Sequence, residues 1–254
     1  ARLLQEVRAH EGAVWCLAFS RKGEYLASGG GDGAVVVFRV GRGDDDGGNA
    51  DGSGNGHGNP EASRVENGRR FSSVESPRAG RKQRPPPAGG ELLMGGKALR
   101  VLRGHGGDVW DLSWSPNQFL ASAGRDGSVR LWHMARMGCV HVFQQPAAAT
   151  SVDFHHSLEN SFVSGGRDGK LRFWKLTSGQ VEAEVQVAAA SPMRASLSPS
   201  ASSSGRAAVA ITHARYGPRG SGTVVVGLST GQAKVVDMAS LRTVGQLDLQ
   251  GWSW

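Results

Sequence analysis

Short apolar stretches, each followed by turn-forming residues, recur along this chain. The first three are "VWCLAF", "YLASGG" and "AVVVFRV". Each is too short for an ordinary helix and rich in β-branched or aromatic residues, so each reads as a β-strand. The triplet returns as "VWDLSW", "FLASAG" and "SVRLWH", followed by a fourth strand, "CVHVFQ". It returns again as "TSVDFH", "FVSGG" and "KLRFWKL", followed by "QVEAEVQV". Asp32-Gly33, Asp126-Gly127 and Asp168-Gly169 separate the second strand from the third each time. Asp-Gly is a hairpin signal, because Gly adopts the positive φ such a turn requires. A degenerate fourth set holds Thr230 where the others hold Asp.

Laid one above another, the sets align residue by residue. Ser28, Asp32 and Phe38 match Ser122, Asp126 and Trp132, then Ser164, Asp168 and Trp174. His10 precedes Asp32 by 22 residues and His105 precedes Asp126 by 21, while Ala147 is read as standing in that place in the third set. Asp126 and Asp168 lie 42 residues apart. A β-rich repeat of this length resembles the WD-repeat (WD40) family, whose repeats are the four-stranded blades of a β-propeller. The resemblance implies an all-β fold: an incomplete arc of three clear blades and one degenerate blade, with two disordered insertions.

On this reading residues 1–40 hold an orphan fourth strand, "LLQEV", and the first three strands of blade 1. Residues 97–145 supply that blade's fourth strand, "ALRVLRG", and blade 2; 146–187 are blade 3, and 208–254 the degenerate blade 4. Residues 41–96 and 188–207 are the insertions, rich in Gly, Ser, Arg and Pro and too poor in apolar side chains to offset the entropy of ordering. Either more blades follow Trp254 or a short ring closes on "LLQEV". The fit to longer arrays, and a start without Met, favour a piece of a larger propeller.

The net charge of +7 first suggests nucleic acid. Residues 41–96 carry eight basic and eight acidic residues, so the excess is spread over the repeats as a solvated basic surface. No zinc-finger spacing, basic helix or aromatic RNA-binding motif is present, so no nucleic-acid partner is expected. Cys16 and Cys139 sit in strand-like runs and read as buried reduced thiols, a cytosolic pattern. No apolar run approaches the roughly 20 residues of a membrane helix. Neither a metal nor a cofactor is expected. The adjacent His155 and His156 would face opposite ways on a strand, which argues against a zinc site.

His10, Ser28 and Asp32, and again His105, Ser122 and Asp126, have the composition of a catalytic triad. Catalysis needs one triad, whereas this arrangement repeats, and no nucleophile elbow surrounds either serine. The resemblance implies a structural relay instead: turn Asp to His, His to Ser, Ser to the Trp indole, satisfying groups that packing would leave unpaired. No catalytic residue is therefore assigned. Because only blade 2 has all four members, Asp126→Ala is expected to be the most damaging turn-Asp change.

The resemblance also implies a top face formed by the turns beside each relay. Its positions would be Ala13, Trp15 and Gly31; then Asp108, Trp110 and Arg125; then Thr150, Val152 and Arg167. Trp15, Asp108, Trp110, Arg125 and Arg167 are the candidate partner-binding residues, since Trp and Arg dominate binding hot spots. Arg130 and Arg172 repeat the basic character on the third strand. In the insertions, Ser72, Ser76, Ser191 and Ser198 fit short kinase patterns, and "RKQRPPP" fits a polyproline segment.

"GAVWCLAFSRKGEYLASGGGDGAVVVF", "DLSWSPNQFLASAGRDGSVRLWH" and "SFVSGGRDGKLRFWKL" resemble the rabphilin-like WD-repeat effectors of Rab GTPases. The family's long polar insertion after the first blade is also matched. This resemblance implies a non-catalytic protein-interaction scaffold in vesicle and endosomal traffic, cytoplasmic and held at endosomal or Golgi membranes through partners. A Rab-family GTPase would bind a region outside this chain, so no Rab-contacting residue is carried over. The alternative is a scaffold or substrate-receptor subunit of a ubiquitin-ligase or chromatin complex.

Overall fold

A computed structural model describes residues 5–42, 92–94, 97–187 and 209–248. Ala1–Gly41 and Leu93–Trp254 form one compact unit, and the four antiparallel sheets lie in it apart from Arg42 and Leu92. The first sheet contains β1 (Val14–Phe19), β2 (Tyr25–Gly30) and β3 (Ala34–Arg42). The short β4 (Leu92–Met94) and then β5 (Arg100–Arg103) complete it, with β5 paired to β3. The second sheet runs β6 (Val109–Trp114), β7 (Phe119–Gly124), β8 (Ser128–His133) and β9 (His141–Gln144). The third runs β10 (Ala149–Phe154), β11 (Ser161–Gly166), β12 (Lys170–Lys175) and β13 (Val181–Gln186). The fourth runs β14 (Ile211–Tyr216), β15 (Thr223–Leu228), β16 (Gln232–Asp237) and β17 (Arg242–Asp248).

Two boundaries differ from expectation. Gly41 and Arg42 extend β3 and Leu92–Met94 form β4, so the first insertion is strand at both margins. Of "LLQEV", Leu3 and Leu4 lie outside the described residues, and Gln5–Val7 are not strand.

The sheets pack face to face in chain order, with an apolar layer at each junction. Val35, Val37 and Leu102 of the first sheet meet Val109, Leu112 and Trp114 of the second. Val129, Leu131 and Phe143 meet Val152, Phe154 and Phe162, and Leu171, Phe173 and Val185 meet Ile211, Ala214 and Tyr216. The Asp-Gly turns make this approach possible. Gly33 has φ +71°, and a Cβ there would lie 3.0 Å from the carbonyl oxygen of His105 in the next blade. Gly127, with φ +77°, repeats this against the carbonyl of Gln145.

Strand β1 shows what such a junction covers. Val14, Leu17 and Phe19 are 49%, 65% and 58% exposed. Their counterparts Val109, Leu112 and Trp114 are at most 5% exposed. The described residues leave this side of the first sheet uncovered.

Candidate functional site

In every blade the first strand carries a β-bulge at the same place. Val14 pairs with Gly30 and Cys16 with Gly29, which leaves Trp15 as the extra residue. Trp110, Thr150 and Thr212 are the extra residues of β6, β10 and β14. A bulge releases its residue from the ladder and re-aims the side chain. Beside it, the residue before the turn is bonded to the loop that enters the first strand: Gly31 N–H to Ala13, Arg125 to Asp108, Arg167 to Ala148 and Ser229 to Ala210.

These bonds fix the frame of blade 3. Ala148, not Thr150, is the counterpart of Ala13 and Asp108, and the bulged Thr150 is the counterpart of Trp15 and Trp110. Val152 is therefore a core residue with no exposed surface, not a top-face residue. Counting back three from Ala148 makes Gln145, not Ala147, the counterpart of His10 and His105. The loop in blade 3 is longer, and the sequence spacing alone misplaced the frame.

Two relays contain histidine. His10 Nδ1 lies 2.9 Å from Asp32 Oδ1 and its Nε2 lies 2.8 Å from Ser28 Oγ. Phe38 offers no donor to that serine, and Ser28 Oγ lies 3.4 Å from the carbonyl oxygen of Val36. In blade 2, His105 Nδ1 lies 3.1 Å from both Asp126 oxygens and Nε2 lies 2.7 Å from Ser122 Oγ. Trp132 Nε1 then donates to Ser122 Oγ at 2.9 Å. Both serines are buried, with Ser122 wholly inaccessible, so a substrate carbonyl has no approach to either hydroxyl.

Burial pushes the Asp126 carboxyl up, but hydrogen bonds from Gly106 N–H, the Ser128 hydroxyl and His105 outweigh it and set its pKa at about 2. Burial dominates at His105 and depresses its pKa, against the pull of Asp126.

Blade 3 satisfies the same groups without histidine. Ser164 Oγ donates to Gln145 Oε1 at 2.9 Å, and Trp174 Nε1 donates to Ser164 Oγ at 2.8 Å. Asp168 is paired instead with Arg172, Nη2 to Oδ2 at 2.5 Å, and Arg172 Nε lies 2.8 Å from Glu184. A Cβ on Gly166 would meet Arg172, where one on Gly124 would meet His105. The guanidinium thus occupies the imidazole's place, and Arg172 is only 2% exposed. Arg130, its counterpart in blade 2, finds Val142 across the ladder where Arg172 finds Glu184. Its Nε is buried without a partner.

The innermost strands are tied edge to edge by side chains. Asp111 accepts the N–H of Val152, Ser113 that of Phe154 and Asp153 that of Tyr216. Trp114 Nε1 donates to the carbonyl of Ala18. These contacts satisfy backbone groups that an edge strand would leave open. Arg215 donates to both Asp111 oxygens, at 2.7 and 2.8 Å. Cys16 and Cys139 are free and part-buried. Burial, with Asp111 beside it, raises the Cys16 thiol to about 12, so it is not a nucleophile at neutral pH.

Of the partner-binding candidates, Trp15 is 54% exposed, Arg125 and Arg167 are exposed, and Asp108 and Trp110 are half-buried. Neither Arg125 nor Arg167 has an acceptor among the described residues. Trp110 is more covered than Trp15 because blade 1 flanks it. Ser72, Ser76, Ser191, Ser198 and "RKQRPPP" lie outside the described residues.

The chain matches the family "WD domain, G-beta repeat" over residues 1–39, 96–133 and 137–175. It is 33% identical over 157 residues to WD repeat-containing protein 44 of Xenopus laevis, covering 61% of this chain and 17% of the relative. Its fold is similar to the β-propeller domain of Cps50 (Swd1) from Myceliophteria thermophila, with TM-score 0.58 and 17% identity over 94% of this chain and 56% of the other. It is similar also to a chain in the mitotic checkpoint complex, with TM-score 0.57 and 16% identity over 92% and 50%. The chain therefore spans about half of the solved propellers and a smaller share of the sequence relative.

Proposed function

We propose that this chain, which matches the WD40 repeat model over three segments, works as a non-catalytic protein-interaction platform whose partner docks on Trp15, Trp110, Arg125 and Arg167. The observation that carries this reading is the repeated bulge. It takes an indole out of the ladder in blades 1 and 2, beside an arginine in blade 2 that has no acceptor of its own. Trp and Arg are the residue types in which binding energy concentrates. Burial of Ser28 and Ser122 supports the non-catalytic half of the reading. That one solved neighbour is a chain of a multi-protein complex is consistent with it.

The context we propose is vesicle traffic with a Rab-type small GTPase, in the cytoplasm at endosomal or Golgi membranes. Its support is the sequence resemblance of the first three blades to rabphilin-like effectors. Proximity labelling in cells tests both levels, comparing the chain with a W15A/W110A/R125E/R167E variant shown to melt at the same temperature. Loss of a defined set of neighbours in the variant is expected. Identical neighbours would reject the top face, and a lost set without small GTPases or vesicle proteins would reject the trafficking context.

A further inference from the structure

The top face uses one end of each sheet, and the opposite end of blades 3 and 4 holds a separate polar notch. It is a shallow depression open to solvent. His155 and His156 form one wall, and Tyr216 with the loop 217–223 forms the other. The two histidines were expected to face opposite ways. They follow the last residue of β10, and both rings turn toward Tyr216, with centroids 4.7 and 6.3 Å from it.

The hydrogen bonds fix what the notch presents. His155 Nδ1 accepts the backbone N–H of Ser157 at 3.1 Å and of Leu158 at 2.9 Å. A backbone N–H only donates, so Nδ1 holds a lone pair and the ring proton sits on Nε2. That Nε2–H has no acceptor among the described residues. The Tyr216 hydroxyl and the exposed Arg219 guanidinium likewise have no hydrogen-bond or ion-pair partner among them, although Tyr216 is only 8% exposed.

Positive charge surrounds these donors. Arg21 reaches over from blade 1 and donates to the carbonyls of His156 and His155, at 3.2 and 3.5 Å. The loop carries Gly220 at φ +83° and Gly222 at φ +61°. The Ser221 N–H between them closes the loop onto the carbonyl of Pro218 at 3.0 Å, so the side chains rather than the loop amides supply the donors. The carboxylates that act on Tyr216 are Asp153 and Glu182. Asp153 already accepts from Ser113 and the Tyr216 N–H, and Glu182 pairs with Lys175. Neither forms an ion pair with Arg21 or Arg219 among the described residues.

We propose that this notch is an anion-binding subsite that takes a phosphate or carboxylate group presented by a bound protein segment. His155 Nε2–H and the Tyr216 hydroxyl orient the group, and Arg21 and Arg219 supply the charge. The site is independent of the top face, so a partner engaging both would be gripped at two ends.

Imidazole NMR signals at pH 7.5 test this, titrated with inorganic phosphate, acetate and N-acetyl-phosphoserine amide at constant chloride-balanced ionic strength. Saturable shifts of the His155 signals are expected, with phosphoserine amide binding more tightly than inorganic phosphate. Tyr216→Phe removes one hydroxyl and keeps the ring, and Arg219→Ala touches no buried group. Each is expected to weaken binding about tenfold or more, the order of one hydrogen bond to a charged group. Shifts that follow ionic strength alone, or equal affinity in both variants, would overturn the proposal. Tighter binding of free phosphate than of phosphoserine amide would overturn the assignment to a presented group.

Discussion

Replacing Ser122 by alanine separates the two histidine relays energetically. In blade 2 the serine hydroxyl serves two partners, donating to His105 and accepting from Trp132. Trp132 is 1% exposed, so its indole N–H has no water to turn to. An unsatisfied buried donor or acceptor costs about 1–3 kcal/mol, so Ser122→Ala should cost about 2–5 kcal/mol. In blade 1 Phe38 makes no such demand, and Ser28→Ala should cost about 1–3 kcal/mol. Equilibrium urea unfolding, followed by circular dichroism, measures both. A cycle with Trp132→Phe isolates the shared bond. The double variant should lose less than the sum of the singles, by about 1–3 kcal/mol, because the orphaned indole is gone. Equal losses for the two serine variants, or strict additivity in the cycle, would refute the relay as a chain of satisfied groups.

The turn aspartates should rank differently from the order expected on sequence alone. Asp168→Ala leaves the buried Arg172 with Glu184 alone and should cost about 3–5 kcal/mol, more than the roughly 1–3 kcal/mol of Asp126→Ala; the melting temperatures of the two variants decide it. The His105 relay should also make stability depend on pH. Its folded pKa lies below the unfolded value near 6.5, so the unfolded chain takes up the proton first and stability falls as pH drops below about 6.5. His105→Gln, which copies Gln145, should flatten urea midpoints measured between pH 7 and pH 5. At lower pH the Asp126 contribution, present above about 3.8, is lost as pH falls toward about 2, and Asp126→Asn should remove that limb of the titration.

Strands and turns were legible because their signals are local. Alternating β-branched residues and Asp-Gly pairs act within a few positions, and the relays of blades 1 and 2 follow from fixed spacings. Blade 3 was not, because its frame is set by the bond from Arg167 N–H to the carbonyl of Ala148, which no side-chain pattern reports. One signal was available: Gln145 stands three residues before Ala148, as His105 stands before Asp108. The role of Arg172 was hidden for another reason. Arg130 occupies the same register and also faces its turn aspartate, at 3.9 Å, and the residue across the ladder, Glu184 or Val142, decides whether the guanidinium gains a second carboxylate. The pairing of Arg215 with Asp111 spans 104 positions and has no periodic trace.

That last pair changes how the array should come apart. In a linear stack where each repeat touches only its neighbours, stability is a sum of units and adjoining interfaces, and the stack can fray one unit at a time. Arg215 ties the fourth sheet to the second across the third, and Arg21 ties the first sheet to the third across the second. Opening either middle sheet therefore strains bonds it does not itself make. The four sheets are coupled beyond nearest neighbours, and their unfolding should be sharper than that of a chain of independent pairs.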